Sequence, residues 1–246
     1  MIFKQVIKFL YHKYSTSTNS RFCRYLKSKG VRIGSNVYFR YPNHATIDLS
    51  RPSLVSIGSN LDINDNFTIL THDFSTFVFR GLYHDFVPSS GKVVIGNNIV
   101  FGRDVTILKG VTIGDNCIIG LGSIITKSIP AGSVVAGCPA KVICTIEDYY
   151  NKRKEQSKYE ALEYGISIID AYNRSPKIED FPEEWSLFLT KEEYNNNSVV
   201  KGYVDFRFKN YLENFFERKK LYNGFQMFLE DINVYNKKNN SKNNAN

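Results

Sequence analysis

From Ile95 the chain reads IGNNIV, FGRDVT, ILKGVT, IGDNCI, IGLGSI, ITKSIP, so an aliphatic or aromatic residue returns at Ile95, Phe101, Ile107, Ile113, Ile119 and Ile125. Helical faces repeat near 3.6 residues and single strands near 2, and neither produces a period of six. A solenoid of short strands does, each repeat laying one flat side and turning one corner. Four of the six apolar positions are followed by glycine, and the polar pairs Asn97-Asn98, Arg103-Asp104 and Asp115-Asn116 fall where corners need unusual backbone angles. A second inward set, Ile99, Val105, Val111, Cys117, Ser123 and Ile129, completes the expected stack. The register extends upstream through Ile57, Ile63 and Ile69, and more loosely from Ile33. Between Ile69 and Ile95 it breaks, because the interval between them is not a multiple of six, and an extruded loop is expected over 73–92. Loops of this length are uncommon in a compact fold and tend to be functional, although packing on a neighbouring subunit explains its aromatic residues equally well.

The ends are patterned differently. Ile2, Phe3, Val6, Ile7 and Leu10 recur at helical spacing with lysines on the other face, which predicts a basic helical segment within 1–30. Thr145-Ile-Glu-Asp148 reads as a capping box opening a helix to about Tyr164, and Thr190-Lys-Glu-Glu193 as a second. The aromatic-rich stretch that follows makes 144–235 a mostly helical extension, and the Asn/Lys-rich residues 236–246 read as disordered tail. That leaves 31–143 as the repeat domain.

Composition changes this picture in one respect. The net charge of +8 over 246 residues invites a polyanionic partner, but residues 1–30 carry +7 without a single acid and the tail from 237 adds +3. Residues 31–236 therefore sum to −2, and with no nucleic-acid-binding motif present, nucleic acid is not expected as a partner. Cys23, Cys117, Cys138 and Cys144 form no CxxC pair and read as buried free thiols in a reducing compartment, with no zinc site. The start makes a poor signal peptide, and no run of about 18 apolar residues exists to span a membrane, so a cytoplasmic protein is expected. The basic first helix suits peripheral contact with an anionic membrane surface, and equally suits packing on the end of the repeat domain.

The block 57–143 resembles the hexapeptide-repeat acyltransferases, and Gly120–Pro130 with Ala136–Ile143 is similar to that family's closing signature. The resemblance implies a left-handed parallel β-helix, acetyl-CoA as donor, a homotrimer, and a sugar O-acetyltransferase of the kind serving capsule, lipopolysaccharide and xenobiotic substrates. O-acetylation needs a group to take the proton of an attacking hydroxyl, and a neutral imidazole does this near pH 7. His72 falls where the register stops, the place of the family's catalytic histidine, and so takes the role of general base. The neighbouring Asp73 and the loop residue His84 are candidate acceptor contacts. By the same resemblance Arg103, Leu121, Gly122, Thr126, Lys127 and Lys141 are candidates for holding the donor, whose phosphates need cations. No Cys or Ser lies beside His72 in sequence, which points to direct transfer in a ternary complex. Three alternatives stay open: N-acetylation of an amino sugar, a metal hydratase like the γ-class carbonic anhydrases, which needs about three convergent histidines, and a non-catalytic trimeric scaffold.

Overall fold

The computed structural model of the chain describes residues 10–11 and 13–243. Ile2, Phe3, Val6 and Ile7 of the expected first helix lie outside these residues, as do His12 and the last part of the tail, 244–246. Two units are present, Met1–Tyr150 and Asn151–Asn246.

In the first unit, helix α1 (Asn19–Ser28) starts at Thr18, whose side chain accepts from the Arg21 backbone N–H, and buries Phe22 and Leu26. A parallel coil follows, in which short strands take three sides in strict rotation. One sheet stacks β1 (Arg32–Ile33), β4 (Val55–Ile57), β7 (Val93–Ile95) and β10 (Thr112–Ile113). The second stacks β2 (Val37–Phe39), β5 (Leu61–Ile63), β8 (Ile99–Phe101), β11 (Cys117–Ile119) and β13 (Ser133–Gly137), with β14 (Ala140–Thr145) antiparallel at its end. The third stacks β3 (Thr46–Ile47), β6 (Thr68–Ile69), β9 (Thr106–Ile107) and β12 (Ile124–Ile125). Each rung places like over like: Ile57 on Ile95, Ile63 on Phe101, Ile69 on Ile107, Ile107 on Ile125. The inward side chains are buried along the whole axis, Phe67 packing edge-on to both Phe39 and Phe101. Both sequence-derived inward sets lie in this core, Ser123 included, whose hydroxyl donates to the Gly120 carbonyl at 2.6 Å.

The corners divide their work between two residue types. Asn98, Asp104 and Asn116, the second members of the three polar pairs, take φ of 56°, 59° and 58°, the left-handed region that Asn and Asp tolerate. The glycines that follow the inward residues serve close approach instead. A Cβ on Gly58 would lie 2.2 Å from the Gly96 carbonyl oxygen of the next coil, and backbone cannot swing aside as a side chain can. Gly58→Ala is therefore expected to force these neighbouring coils apart and cost about 1–3 kcal/mol, read as a lower midpoint in urea denaturation with an unchanged slope.

The extruded segment leaves the coil and returns without disturbing its register. Ile57 pairs with Ile95 and Ile95 with Ile113; the first interval exceeds the second by the length of the segment 73–92, so the coil resumes in phase once that segment is set aside. The segment is not plain loop, since it carries the short helix α2 (Thr76–Leu82). Its base closes where His72 pairs antiparallel with Ser90 and the Gly91 N–H donates to the Thr71 carbonyl at 2.8 Å. Of the four thiols, Cys117 is buried but Cys138 is exposed, because it sits on the turn of the β13–β14 hairpin. That hairpin also moves the boundary from the expected 143: residues 140–145 turn back onto 133–137 and still belong to the coil.

The second unit is helical. Helix α3 (Ile146–Tyr172) opens at Thr145, whose Oγ1 accepts from the Asp148 N–H at 3.1 Å, and runs on past the expected Tyr164. Helix α4 (Lys191–Asn196) carries the full capping box of Thr190 and Glu193, and α5 (Ser198–Phe208), α6 (Leu212–Glu217) and α7 (Phe225–Asn243) follow. Phe181, Trp185, Phe188, Phe215 and Phe228 form this unit's own buried core, so its aromatic residues pack on one another. α7 continues to Asn243 where the composition predicts disorder from 236; its first turns are anchored by buried Phe228 and Ile232, and extending a formed helix is cheap.

Candidate active site

The third sheet, β3–β6–β9–β12, positions the chemistry. Asp48 follows β3 and, one coil on, His72 follows β6, with the Asp48 N–H donating to the Ile69 carbonyl at 3.0 Å. This stacking brings the two side chains together, His72 Nδ1 lying 2.5 Å from Asp48 Oδ2. Asp48 is 7% exposed and His72 19%. The Thr71 N–H and hydroxyl both donate to Asp48 Oδ2, and the Ser50 N–H and hydroxyl to Oδ1, at 2.5–3.0 Å. Burial alone would push the Asp48 carboxyl up, but donors from Thr71, Ser50 and His72 outweigh it and hold the group well below the usual carboxylate range. Ionised Asp48 accepts the Nδ1 proton, which fixes the tautomer and leaves Nε2 as the ring's proton acceptor. Phe74 stands edge-on to the imidazole at 5.0 Å between centroids.

Asp73, expected as an acceptor contact, is held by bonds within the chain. Its carboxylate accepts from the Ser75 N–H and hydroxyl, from Ser89 and from Lys109, tying both ends of the extruded segment to the next coil. The donors from Lys109 and Ser75 hold it well below the ordinary carboxylate range. His84 is exposed just beyond α2, with φ of 53°, outside the hydrogen-bond set of His72. Ser50 Oγ comes within 3.4 Å of His72 Nδ1, although sequence places no serine beside the histidine. Its hydroxyl is already donated to Asp48 at 2.7 Å, so it is not poised as a nucleophile.

The donor candidates sort onto separate corners. Arg103, Leu121 and Gly122 share the corner between the second and third sheets, where the Gly122 N–H donates to the Arg103 carbonyl at 2.8 Å. Thr126 and Lys127 follow β12, on the same corner as His72, and both are exposed. Lys141 lies on exposed β14. Arg103 is not a loose cation, since its Nη2 donates to Asp65 Oδ2 at 3.0 Å. Among the described residues no group of three or more His, Cys, Asp or Glu side chains is arranged to hold a metal, and no helix is long and apolar enough to cross a membrane.

Asp48, the partner of His72, is the candidate site residue that sequence reasoning missed. It stands one whole coil before His72, in a coil lengthened by two short 3-10 turns, Pro42–His44 and Pro52–Leu54, which hide the six-residue period. Aligning Ile47 under Ile69 would have exposed it.

No family model matches the chain. Protein CapG of Staphylococcus aureus is 35% identical over 150 residues, 61% of this chain and 86% of that protein. Galactoside O-acetyltransferase of Escherichia coli (strain K12) is 40% identical over 126 residues, covering 50% of this chain, and YvoF of Bacillus subtilis (strain 168) is 34% identical over 111 residues, covering 45%. The chain spans 59% of the length of each of these last two.

Proposed function

The chain belongs to the hexapeptide-repeat acetyltransferases, and from that premise we propose that it is an acetyl-CoA-dependent O-acetyltransferase acting on a sugar hydroxyl of a surface glycan or its precursor. The observation that carries this reading is the His72–Asp48 pair: a largely buried imidazole with its tautomer set and its second nitrogen left for a substrate proton. In the reaction His72 Nε2 takes the proton of a sugar hydroxyl as its oxygen bonds to the thioester carbonyl carbon. The carbon–sulfur bond breaks, and the imidazolium returns the proton to the departing thiolate. Asp48 stabilises the imidazolium without taking its proton, as carboxylates do in such pairs.

The donor's pantetheine arm lies along the corner of Arg103, Leu121 and Gly122, where backbone groups are offered at each coil, and Lys127 and Lys141 supply charge for its phosphates. The working form is a left-handed β-helix in a homotrimer, with the donor in a cleft between neighbouring copies. Acetyl-CoA incubated with the protein and de-O-acetylated cell-surface glycan tests the reading. CoA release should require the glycan, and the new acetyl groups should come off in mild alkali, as esters do. Acetyl groups that survive alkali would show N-acetylation instead, and CoA release at the same rate without glycan would overturn the transferase reading.

A further inference from the structure

The third sheet carries a second oriented imidazole. His44 precedes β3 and Asp65 lies on the coil above, before β6, with His44 Nδ1 2.6 Å from Asp65 Oδ1. Asp65 is 9% exposed, takes the Asn66 N–H on the same oxygen, and takes Arg103 on the other. The bond from His44, with further help from Asn66 and the Arg103 charge, holds its carboxyl below the ordinary range despite burial. This is the arrangement of His72 on Asp48 repeated at the opposite edge of one flat face. The difference is accessibility: His44 is 47% exposed and Arg103 63%. Nδ1 being committed to Asp65, the other ring nitrogen of His44 is left for a ligand, as are the guanidinium donors beyond Nη2. Tyr41 stacks on the imidazole at 5.9 Å and 9°, adding an exposed aromatic face.

Between the two edges the face is hydroxyl-bearing. Thr46, Thr68 and Thr106 stand in register on its outer side while Ile47, Ile69 and Ile107 turn inward. His44 and Asp48 are four positions apart with β3 between them, so their Cα atoms lie up to roughly 13 Å from each other, at the two edges of the face. A single pyranose is too small to touch both.

We propose that this face is an extended acceptor site, taking an oligosaccharide or polymer: one ring offers its hydroxyl to His72, and a ring further along the same chain is held by Tyr41 and His44. Apolar ring faces of sugars stack on aromatic side chains while their hydroxyls meet planar polar groups, and this edge offers both. The inference rests on the acetyl-transfer reading and narrows its acceptor to chains longer than one sugar.

The test uses the full chain with de-O-acetylated glycan, partially hydrolysed and separated by size. The wild type should gain about tenfold in kcat/KM from the monosaccharide to fragments of three or more sugars, the size of one well-made contact. His44→Ala should remove most of that gain through KM, and His44→Gln should restore part of it. Tyr41→Ala, at an exposed position, carries the same test if His44→Ala does not fold. Equal wild-type kcat/KM at every length, or a loss in the variants that is the same for all lengths, overturns the extended site while acetyl transfer stands. A wild type that acetylates no fragment of any length overturns both.

Discussion

Replacing His72 by alanine is expected to lower kcat for acetyl transfer by about 10²–10⁴, the range contributed by a positioned general base. The size follows from what the structure commits to this one ring. Its Nδ1 is held by an ionised, nearly buried carboxylate, so in the neutral ring the lone pair lies on Nε2. Among the described residues around it no second base stands by, because Ser50 and Thr71 spend their hydroxyl protons on Asp48 and Asp73 is saturated by Ser75, Ser89 and Lys109. Donor binding should be little changed, since Arg103, Leu121 and Gly122 lie on another corner and Thr126 and Lys127, on the corner of His72, keep their own side chains. The decisive measurements are single-turnover rates for wild type and His72→Ala beside acetyl-CoA affinities for both. A variant that binds the donor normally and still transfers acetyl within tenfold of the wild type would remove His72 as the base.

How much of this was legible in the sequence differs from coil to coil. Coils built from uninterrupted hexads, from Ile95 to Ile125, can be placed to the residue, because every sixth side chain must turn inward and every corner must accept Asn, Asp or Gly. His72 can be found because it stands where that period stops. Its partner cannot be found so directly. The coil from Ile33 to Ile57 is one hexad longer than the coil from Ile95 to Ile113, and the extra residues shift Asp48 and His44 out of visible phase. Proximity between coils, which makes both histidine–carboxylate pairs, is written in strand register and not in local spacing. The glycines that follow the inward residues were legible in position but not in cause: Gly58 is required by the approach of Gly96, while the left-handed turns fall to Asn98, Asp104 and Asn116 and to other glycines such as Gly110 and Gly122. Composition misjudges the polar tail because it reports the lack of a core-forming face, whereas the helix there grows out of turns that are already anchored.

Asp48→Asn is the second large effect expected, a loss of about 10²-fold or more in kcat with the fold retained, since the substitution keeps shape and removes charge. Two consequences separate it from a merely structural change. Without the carboxylate, the neutral amide can present its N–H to Nδ1, which stabilises the tautomer whose proton sits on Nε2, so the base arrives already protonated on its working nitrogen. The loss should therefore fall on kcat more than on the KM of either substrate. The second consequence concerns pH. The folded-state pKa of Asp48 lies well below its unfolded value, so its contribution to stability is fully present above pH ~4 and is lost as pH falls through the folded value. Wild type should thus be destabilised, relative to its own neutral-pH midpoint, by more than the Asn variant when thermal unfolding is followed from pH 6 down to pH 3. The gap between the two curves should narrow over that range, because Asp48 takes up a proton in the unfolded chain as the pH passes through about 4 while the folded carboxylate stays ionised. Parallel curves over that range, or an Asn variant with wild-type kcat, would show that Asp48 neither holds its charge in the fold nor orients His72.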